Sequence, residues 1–164
     1  MTNIDTDTDK ARDASAQRNA DIPFTHYWHL WTDADGVSHQ TRCRLTEFQK
    51  AQVGNAAPQW NNEQPRTDAT VVFTVQPVGW VGDWHENPAP QWIVPLSGRW
   101  WVEAMDGTRV EMGPGELALG EDQHCRTDAQ GRKGHRSGTI GDQAAHLITI
   151  RLHVAPVQSA CHFR

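Results

Sequence analysis

The sequence lacks both an excess of positive charge and any long apolar run. It contains 15 lysine and arginine residues against 20 aspartate and glutamate residues, for a net charge of -5, so we expect no electrostatic surface for nucleic acid. Its apolar runs are far shorter than the ~18 residues that a transmembrane helix needs, so no membrane partner is expected. The N-terminus has neither a basic nor an apolar region, and no secretory signal is expected.

Cysteine is also scarce. The three cysteines are Cys43, Cys125 and Cys161, and no two of them are closely spaced. This spacing indicates neither a disulfide framework nor a zinc-binding cysteine motif. We therefore expect reduced cysteines and a cytoplasmic location.

Aromatic residues are absent from residues 1–21, which are polar and charged. Such a segment buries too little apolar surface to offset the entropy cost of ordering. We expect it to be disordered, or to be an arm that orders against a neighbouring subunit. Residues 22–156 are predicted to form one β-domain, and residues 157–164 a C-terminal tail.

Short β-like segments alternate with turn residues along the rest of the chain. Two aromatic and β-branched segments flank the hairpin signal Asp35-Gly36, and residues 49–68 are predicted to be a surface connection without strands. Further strands are predicted over residues 71–76, 91–96, 99–105, 108–112, 116–119 and 144–154. Many short strands between glycine, proline and aspartate turns favour an all-β sandwich or barrel. Pro95 inside its segment indicates an edge strand or a β-bulge.

The stretch GDWHENPAPQWIVPLSG, residues 82–98, carries the clearest site pattern. His85 and Asn87 are two residues apart, so in a strand their side chains share a face. Gln91 begins the next strand after a proline-punctuated break, and His135 begins another strand later in the chain. Two neutral imidazoles that converge with an oxygen-bearing side chain are an arrangement suited to a divalent metal ion.

These residues resemble the first motif of the cupin superfamily, which runs Gly, five residues, His-x-His, three or four residues, Glu, six residues, Gly. Gln91 stands at the Glu position, because six residues separate it from Gly98. His85 then stands at the first His position and Asn87 at the second. The second cupin motif is matched by Gly107, Pro114, Gly115 and His135.

The resemblance is closer to one branch, small single-domain bacterial cupins of unassigned function. The matching segments are TDADGVSH (32–39), DWHENPAPQ (83–91), LSG (96–98), PGELALGED (114–122) and GRKGH (131–135). The resemblance covers about residues 24–154. It implies a cupin-type antiparallel β-barrel, the double-stranded jelly roll, and a homodimer that pairs edge to edge.

The same resemblance implies a small-molecule substrate and one divalent metal ion (iron, zinc, nickel or manganese) held by His85 and His135 with help from Gln91. By analogy with the superfamily, the leading expectation is an oxygenase or dioxygenase acting on a small aromatic or keto/enol compound. A redox-neutral cyclase, isomerase or lyase is an alternative. A non-catalytic small-molecule-binding cupin is another, because Asn87 and Gln91 replace the usual His and Glu.

Four further side chains near these motifs are candidates for the site. Trp80, Trp84 and Asn87 are predicted to line the substrate pocket. Residues 123–130 look like an insertion in the cupin pattern, and they bring His124 near the expected barrel mouth. His124 is therefore a candidate proton-transfer group, with an ordinary surface-loop histidine as the alternative.

Other polar residues are expected to have ordinary roles. Asp122 is expected to cap a turn, and His29 is expected to be a strand residue without a site function. Trp92 should point away from the site, because it follows Gln91 in the same strand.

Overall fold

The computed structural model describes residues 22–164, and the prediction for residues 1–21 lies outside them. The described part of the chain contains strands and turns but no helix, so the prediction of an all-β protein is confirmed there. No helix of the described residues is therefore long and apolar enough to span a membrane. The strands are β1 Thr25–Thr32, β2 Ser38–Leu45, β3 Gln49–Ala51, β4 Gln59–Asn61, β5 Ala69–Gln76, β6 Gln91–Ser97, β7 Arg99–Ala104, β8 Arg109–Met112, β9 Ala118–Glu121, β10 His135–Ile140 and β11 Ala145–Leu152.

The largest sheet has six strands in the order β2-β1-β9-β6-β11-β5. Strand β6 pairs antiparallel with β9 and β11, and β11 pairs antiparallel with β5. Strands β1 and β9 are parallel, from Trp28 opposite Ala118 to Trp31 opposite Glu121. The sheet is therefore mixed, and the expectation of a purely antiparallel arrangement is wrong at this pair.

A second sheet has three antiparallel strands in the order β10-β7-β8. The two sheets share one hydrophobic core, to which the first contributes Leu30, Ile93 and Leu147 and the second contributes Trp100 and Met112. Alternating apolar residues of both sheets build this core, as strand geometry requires. The described strands do not close into a barrel, so the cupin-type barrel remains unconfirmed.

Strand β6 contains Pro95 and lies in the interior of the six-stranded sheet. Opposite it, His146 pairs with Ser97 but Leu147 pairs with Pro95, so the register shifts by one residue. Because proline has no N–H to donate to a ladder, an irregular position suits it. The predicted bulge is confirmed, whereas an edge position is wrong.

A smaller unit contains the described residues 22–25 and Leu45–Gln64. Its strands β3 and β4 pair antiparallel from Gln49 opposite Asn61 to Ala51 opposite Gln59. The prediction of a connection without strands is therefore wrong for these two short segments. The larger unit comprises His26–Arg44 and Pro65–Arg164, and it contains every residue discussed below unless stated otherwise.

The C-terminal tail is covalently attached to the sheet by a disulfide between Cys43 and Cys161. The expectation that these cysteines are reduced is therefore wrong, and Cys125 is the free, buried cysteine of the described residues. The two bonded cysteines are 118 residues apart in sequence, a separation that sequence spacing rules do not detect. Disulfides typically stabilise a fold by about 2–4 kcal/mol, and the chain-entropy contribution of a loop this long lies above that range, at about 5 kcal/mol.

The disulfide also bears on the predicted location. Disulfides persist mainly in oxidising compartments. A cytoplasmic location remains a prediction, and the Cys43–Cys161 disulfide weighs against it.

The tail lies against the face of the six-stranded sheet that points away from the core. The Tyr27 hydroxyl donates a hydrogen bond of 3.0 Å to the carbonyl of Phe163. The ring of Trp92 lies between those of Tyr27 and Phe163, with ring centroids 5.2 and 5.5 Å away. Trp92 therefore points away from Gln91, as its place in the strand predicted.

Candidate functional site

A cavity of about 230 Å³ opens between the two sheets of the larger unit. Its apolar wall consists of Val72, Trp80, Pro88, Ile93, Trp100 and Leu147. Its polar lining consists of Thr74, Gln76, His85, Asn87, Gln91, His135, Ser137, Thr149 and Arg151. Strand β11 supplies Leu147, Thr149 and Arg151 because alternate side chains of a strand share a face.

His85 and His135 meet at this cavity although they are distant in sequence. Their backbones form an isolated antiparallel bridge, with two N–H to carbonyl hydrogen bonds of 2.8 Å. Their ring centroids are 4.4 Å apart. His135 is buried and His85 is exposed, so the pair extends from the cavity lining to solvent.

Both rings are oriented through their Nδ1 atoms. Nδ1–H of His85 donates to the backbone carbonyl of Asp83 at 2.7 Å. Nδ1–H of His135 donates to Oδ2 of Asp122, also at 2.7 Å. The acceptors are oxygens without protons, so each neutral ring keeps its lone pair at Nε2. Neither Nε2 atom has a hydrogen-bond partner in residues 22–164.

Asp122 is fully buried and holds this arrangement together. Besides His135, its carboxylate accepts hydrogen bonds from the backbone N–H and the Nδ2 of Asn87, at 3.0 and 2.7 Å. Burial alone would raise the pKa of Asp122, but the charge of His135 and the hydrogen bonds from His135 and Asn87 lower it. Gly120 leaves room for this network, since a Cβ there would lie 2.5 Å from Nδ2 of Asn87.

The prediction that Asp122 caps a turn missed this role. The available signal was a short apolar strand, Ala118–Glu121, that ends in two consecutive acidic residues. One of two consecutive side chains in an extended segment must face the interior, and a buried carboxylate needs a partner.

The amides of Asn87 and Gln91 are hydrogen-bonded to each other. Nε2 of Gln91 donates to Oδ1 of Asn87 at 2.5 Å, and Oε1 of Gln91 accepts a long hydrogen bond of 3.4 Å from Nε of Arg151. A cation beside Oε1 disfavours a metal ion at the same oxygen. The geometry thus places Gln91 in the cavity lining but favours a hydrogen-bonding role for it over the predicted ligand role.

The remaining sequence candidates divide between the cavity and the surface. Trp80 lines the cavity. Trp84 does not, and the guanidinium groups of Arg132 and Arg136 lie over its ring, 5.3 and 5.6 Å from the centroid. His124 is exposed in a loop at a φ of 69° and does not line the cavity. The structure therefore places neither Trp84 nor His124 where the sequence analysis expected it.

A second histidine cluster lies beneath the C-terminal tail. His29, Glu121 and His162 could hold a metal ion, since their ligand atoms all lie within 4.8 Å of one another. Nε2 of His29 is 3.1 Å from Oε2 of Glu121, and Nε2 of His162 is 2.6 Å from the same oxygen. Sequence analysis missed this cluster because its members are far apart in the chain and match no spacing pattern.

Hydrogen bonds from the tail already engage this cluster. The backbone N–H of Cys161 donates to Nδ1 of His29 at 3.1 Å, so the proton of a neutral His29 ring resides on Nε2 and faces Glu121. The backbone N–H of Val157 donates to the other oxygen of Glu121 at 2.9 Å. A metal ion at Nε2 of His29 would require the other tautomer, and Cys161 would lose its hydrogen bond.

The Glu121 carboxylate is strongly stabilised in its ionised form. Burial alone would raise its pKa, but hydrogen bonds from His162, His29 and the Val157 backbone lower the pKa from 4.5 to about 2. Burial also lowers the pKa of His29, against the opposing effect of Glu121. The cluster thus attaches the tail to the sheet through one buried carboxylate.

Comparisons with known proteins do not identify the chain. No family model matches it, and no curated protein is significantly similar to it. The resemblance to cupins therefore depends on the quoted motifs alone and remains a proposal.

Replacement of Asp122 by asparagine should reverse the tautomer of His135. The asparagine oxygen can still accept from Asn87, but its NH2 group then faces Nδ1 of His135, which must become an acceptor and transfer its proton to Nε2. Long-range ¹H–¹⁵N correlation spectra of the histidine rings report the tautomer directly. Asp83→Asn is the matched control. His85 donates to the backbone carbonyl of residue 83 and not to its side chain, so this substitution should leave the His85 tautomer unchanged. An unchanged His135 tautomer in Asp122→Asn would contradict this assignment.

Glu121→Gln should remove a pH-dependent part of the stability. A carboxylate whose pKa falls from 4.5 to about 2 on folding stabilises the native state above pH 4.5. That stabilisation is lost as the pH falls towards 2, and it amounts to about 3 kcal/mol. The difference in unfolding free energy between wild type and Glu121→Gln, measured in urea, should shrink by this amount between pH 6 and pH 2. A difference that is constant with pH, as expected for the control Glu63→Gln at an exposed position, would refute the assignment.

Proposed function

We propose that this chain is a cupin-like enzyme that moves protons on a small molecule bound in the cavity between its two sheets, a redox-neutral isomerisation, cyclisation or elimination. The observation that carries the proposal is the pair of imidazoles at the cavity, one of them held by a buried carboxylate. Perturbed or constrained titratable groups in a cleft are typical of acid–base sites.

His135 is the proposed general base. Its Nδ1–H is fixed by Asp122, so the lone pair of Nε2 is available to take a proton, and the carboxylate stabilises the imidazolium that forms. His85 lies close enough to return a proton to the same molecule, and its position in solvent lets it exchange protons with water. Imidazole suits this work because its protonation changes near neutral pH.

The size and wall of the cavity support a small ligand with an apolar part. A volume of about 230 Å³ is below the usual range for drug-sized ligands. Trp80, Ile93 and Leu147 provide an apolar surface beside the polar lining. Closing such a site around a ligand excludes water and strengthens the hydrogen bonds within it.

Metal-dependent oxygenase chemistry is the second candidate function. It is favoured by the two Nε2 atoms of His85 and His135, which are free to coordinate iron, zinc, nickel or manganese. The other side chains fit a metal ion poorly, because the amides of Asn87 and Gln91 bond to each other and Arg151 approaches Gln91. Catalytic metal sites usually have three protein ligands, so no step of the proposed reaction is assigned to a metal ion.

We also propose a homodimer formed through strand β5. This strand is at the edge of the six-stranded sheet, and its segment ATVVFTVQ contains no charge and no proline. Val71, Phe73 and Val75 are exposed on its outer face, Phe73 to 73 %. Unprotected edge strands of this kind pair readily with another chain, and pairing with a second copy would cover the apolar face.

The acid–base proposal predicts exchange of carbon-bound hydrogen for deuterium. Wild-type protein in D2O with a chelator and without oxygen should catalyse exchange next to the carbonyl of some members of a panel of small ketones and 2-oxo acids. His135→Asn should reduce the rate by about 100-fold or more, and ¹H NMR measures it. His124→Ala is the control, because that side chain is exposed and outside the cavity lining.

The alternative functions give different results in the same experiment. Turnover that requires oxygen and is lost with the chelator would favour the oxygenase. Ligand binding without exchange would favour a non-catalytic binder. Elemental analysis of wild type, His85→Ala and His162→Ala then shows which of the two histidine groups holds any metal that is present.

The dimer proposal predicts that Phe73→Glu yields monomers, because it places a charge on the apolar edge. Light scattering coupled to size-exclusion chromatography measures the mass. Val154→Glu, a charge at another exposed apolar position, should leave the dimer intact. A monomeric wild type at micromolar concentration would rule out the proposed interface.

A further inference from the structure

We infer that the ligand of the cavity is a small organic carboxylate and that Arg151 binds its carboxylate group. The inference names the class of substrate for the proposed function. It rests on that function only because both concern the same cavity. It is carried by a guanidinium group in the cavity lining that no carboxylate of the described residues pairs with.

Arg151 is an unpaired cation in the cavity lining. It is half-buried, and the one hydrogen bond of its guanidinium group in the described part of the chain is the 3.4 Å contact from Nε to Gln91. No carboxylate of residues 22–164 forms an ion pair with it, whereas Arg99, Arg109, Arg132 and Arg136 each have an acidic partner. A guanidinium group has five N–H donors in a planar fork that matches a carboxylate.

The rest of the described lining carries no negative charge. The cavity is lined by Arg151, His85 and His135 but by no aspartate or glutamate of the described residues. The nearest acidic group in the network, Asp122, is fully buried behind His135 and is engaged by its hydrogen bonds. An anion that enters the cavity therefore meets a cation without repulsion from a carboxylate in the wall.

Two buried polar atoms of the lining residues also have no partner. They are Nε1 of Trp100 and Oε1 of Gln76. Trp100 is only 4 % exposed, and an unpaired N–H at such a position costs free energy unless a ligand or water accepts from it. Both atoms are covered by neighbouring protein atoms, so a ligand in the open cavity does not reach them.

The lining residues define the ligand beyond its charge. A carboxylate binds Arg151, and an apolar middle part lies against Ile93 and Leu147. Arg151 is connected to the catalytic pair through Gln91, Asn87 and Asp122. Binding at the guanidinium group thus positions the rest of the molecule beside the two imidazoles.

The experiment compares carboxylates with their neutral amides. Benzoate, 4-hydroxybenzoate and 4-oxopentanoate, and the amide of each, are titrated into wild-type protein, with tryptophan fluorescence and saturation-transfer NMR as readouts. At least one carboxylate should bind at least tenfold more tightly than its amide, and its affinity should weaken with added salt. Arg151→Gln should remove this preference, and Arg151→Lys should keep part of it.

Arg66→Gln is the matched control, since it changes the same charge at an exposed position outside the cavity lining. Thermal unfolding of each variant confirms that it is folded. Equal binding of carboxylates and amides, undiminished binding by folded Arg151→Gln, or no saturable binding of any carboxylate overturns the inference. Carboxylate binding that depends on Arg151 without hydrogen exchange refutes only the acid–base function, whereas exchange on neutral ketones alone refutes only the inference.

Discussion

The hydrogen bond between the buried carboxylate of Asp122 and Nδ1 of His135 is the interaction on which the site depends. A buried carboxylate is costly without partners, and Asp122 obtains them from His135 and from Asn87. The same bonds fix the His135 ring and the Asn87 amide, and Asn87 in turn holds Gln91. One desolvated charge thus orients the His135 ring, part of the cavity lining and, through Gln91, the neighbourhood of Arg151.

The consecutive acidic residues Glu121 and Asp122 point to opposite faces of the six-stranded sheet. Side chains of consecutive residues in an extended segment point in opposite directions. Asp122 therefore faces the cavity, while Glu121 faces the tail and accepts from His29 and His162. The six-stranded sheet separates two polar clusters, one suited to proton transfer and the other attaching the C-terminus together with the Cys43–Cys161 disulfide.

Part of this structure could be predicted from local sequence patterns. All strands except β3 and β4, the bulge near Pro95 and the alternation of Leu147, Thr149 and Arg151 follow from residue type and period. The convergence of His85 and His135 followed from motif resemblance. The disulfide, the cluster at Glu121 and the hydrogen bond between Asp122 and His135 could not be predicted, because each joins residues that no local rule connects. Their partners are chosen by the packing of the sheets.

Because the two carboxylates point to opposite faces, the number of residues in strand β9 is constrained. Inserting or deleting one residue within Ala118–Glu121 would rotate the end of the strand by half a pleat and exchange the two acidic groups between the faces. Each cluster would then lose its own carboxylate and face the other one, which has a side chain of different length, even though the composition barely changes. Homologous chains should therefore keep the number of residues in this strand fixed more strictly than the identity of its apolar side chains.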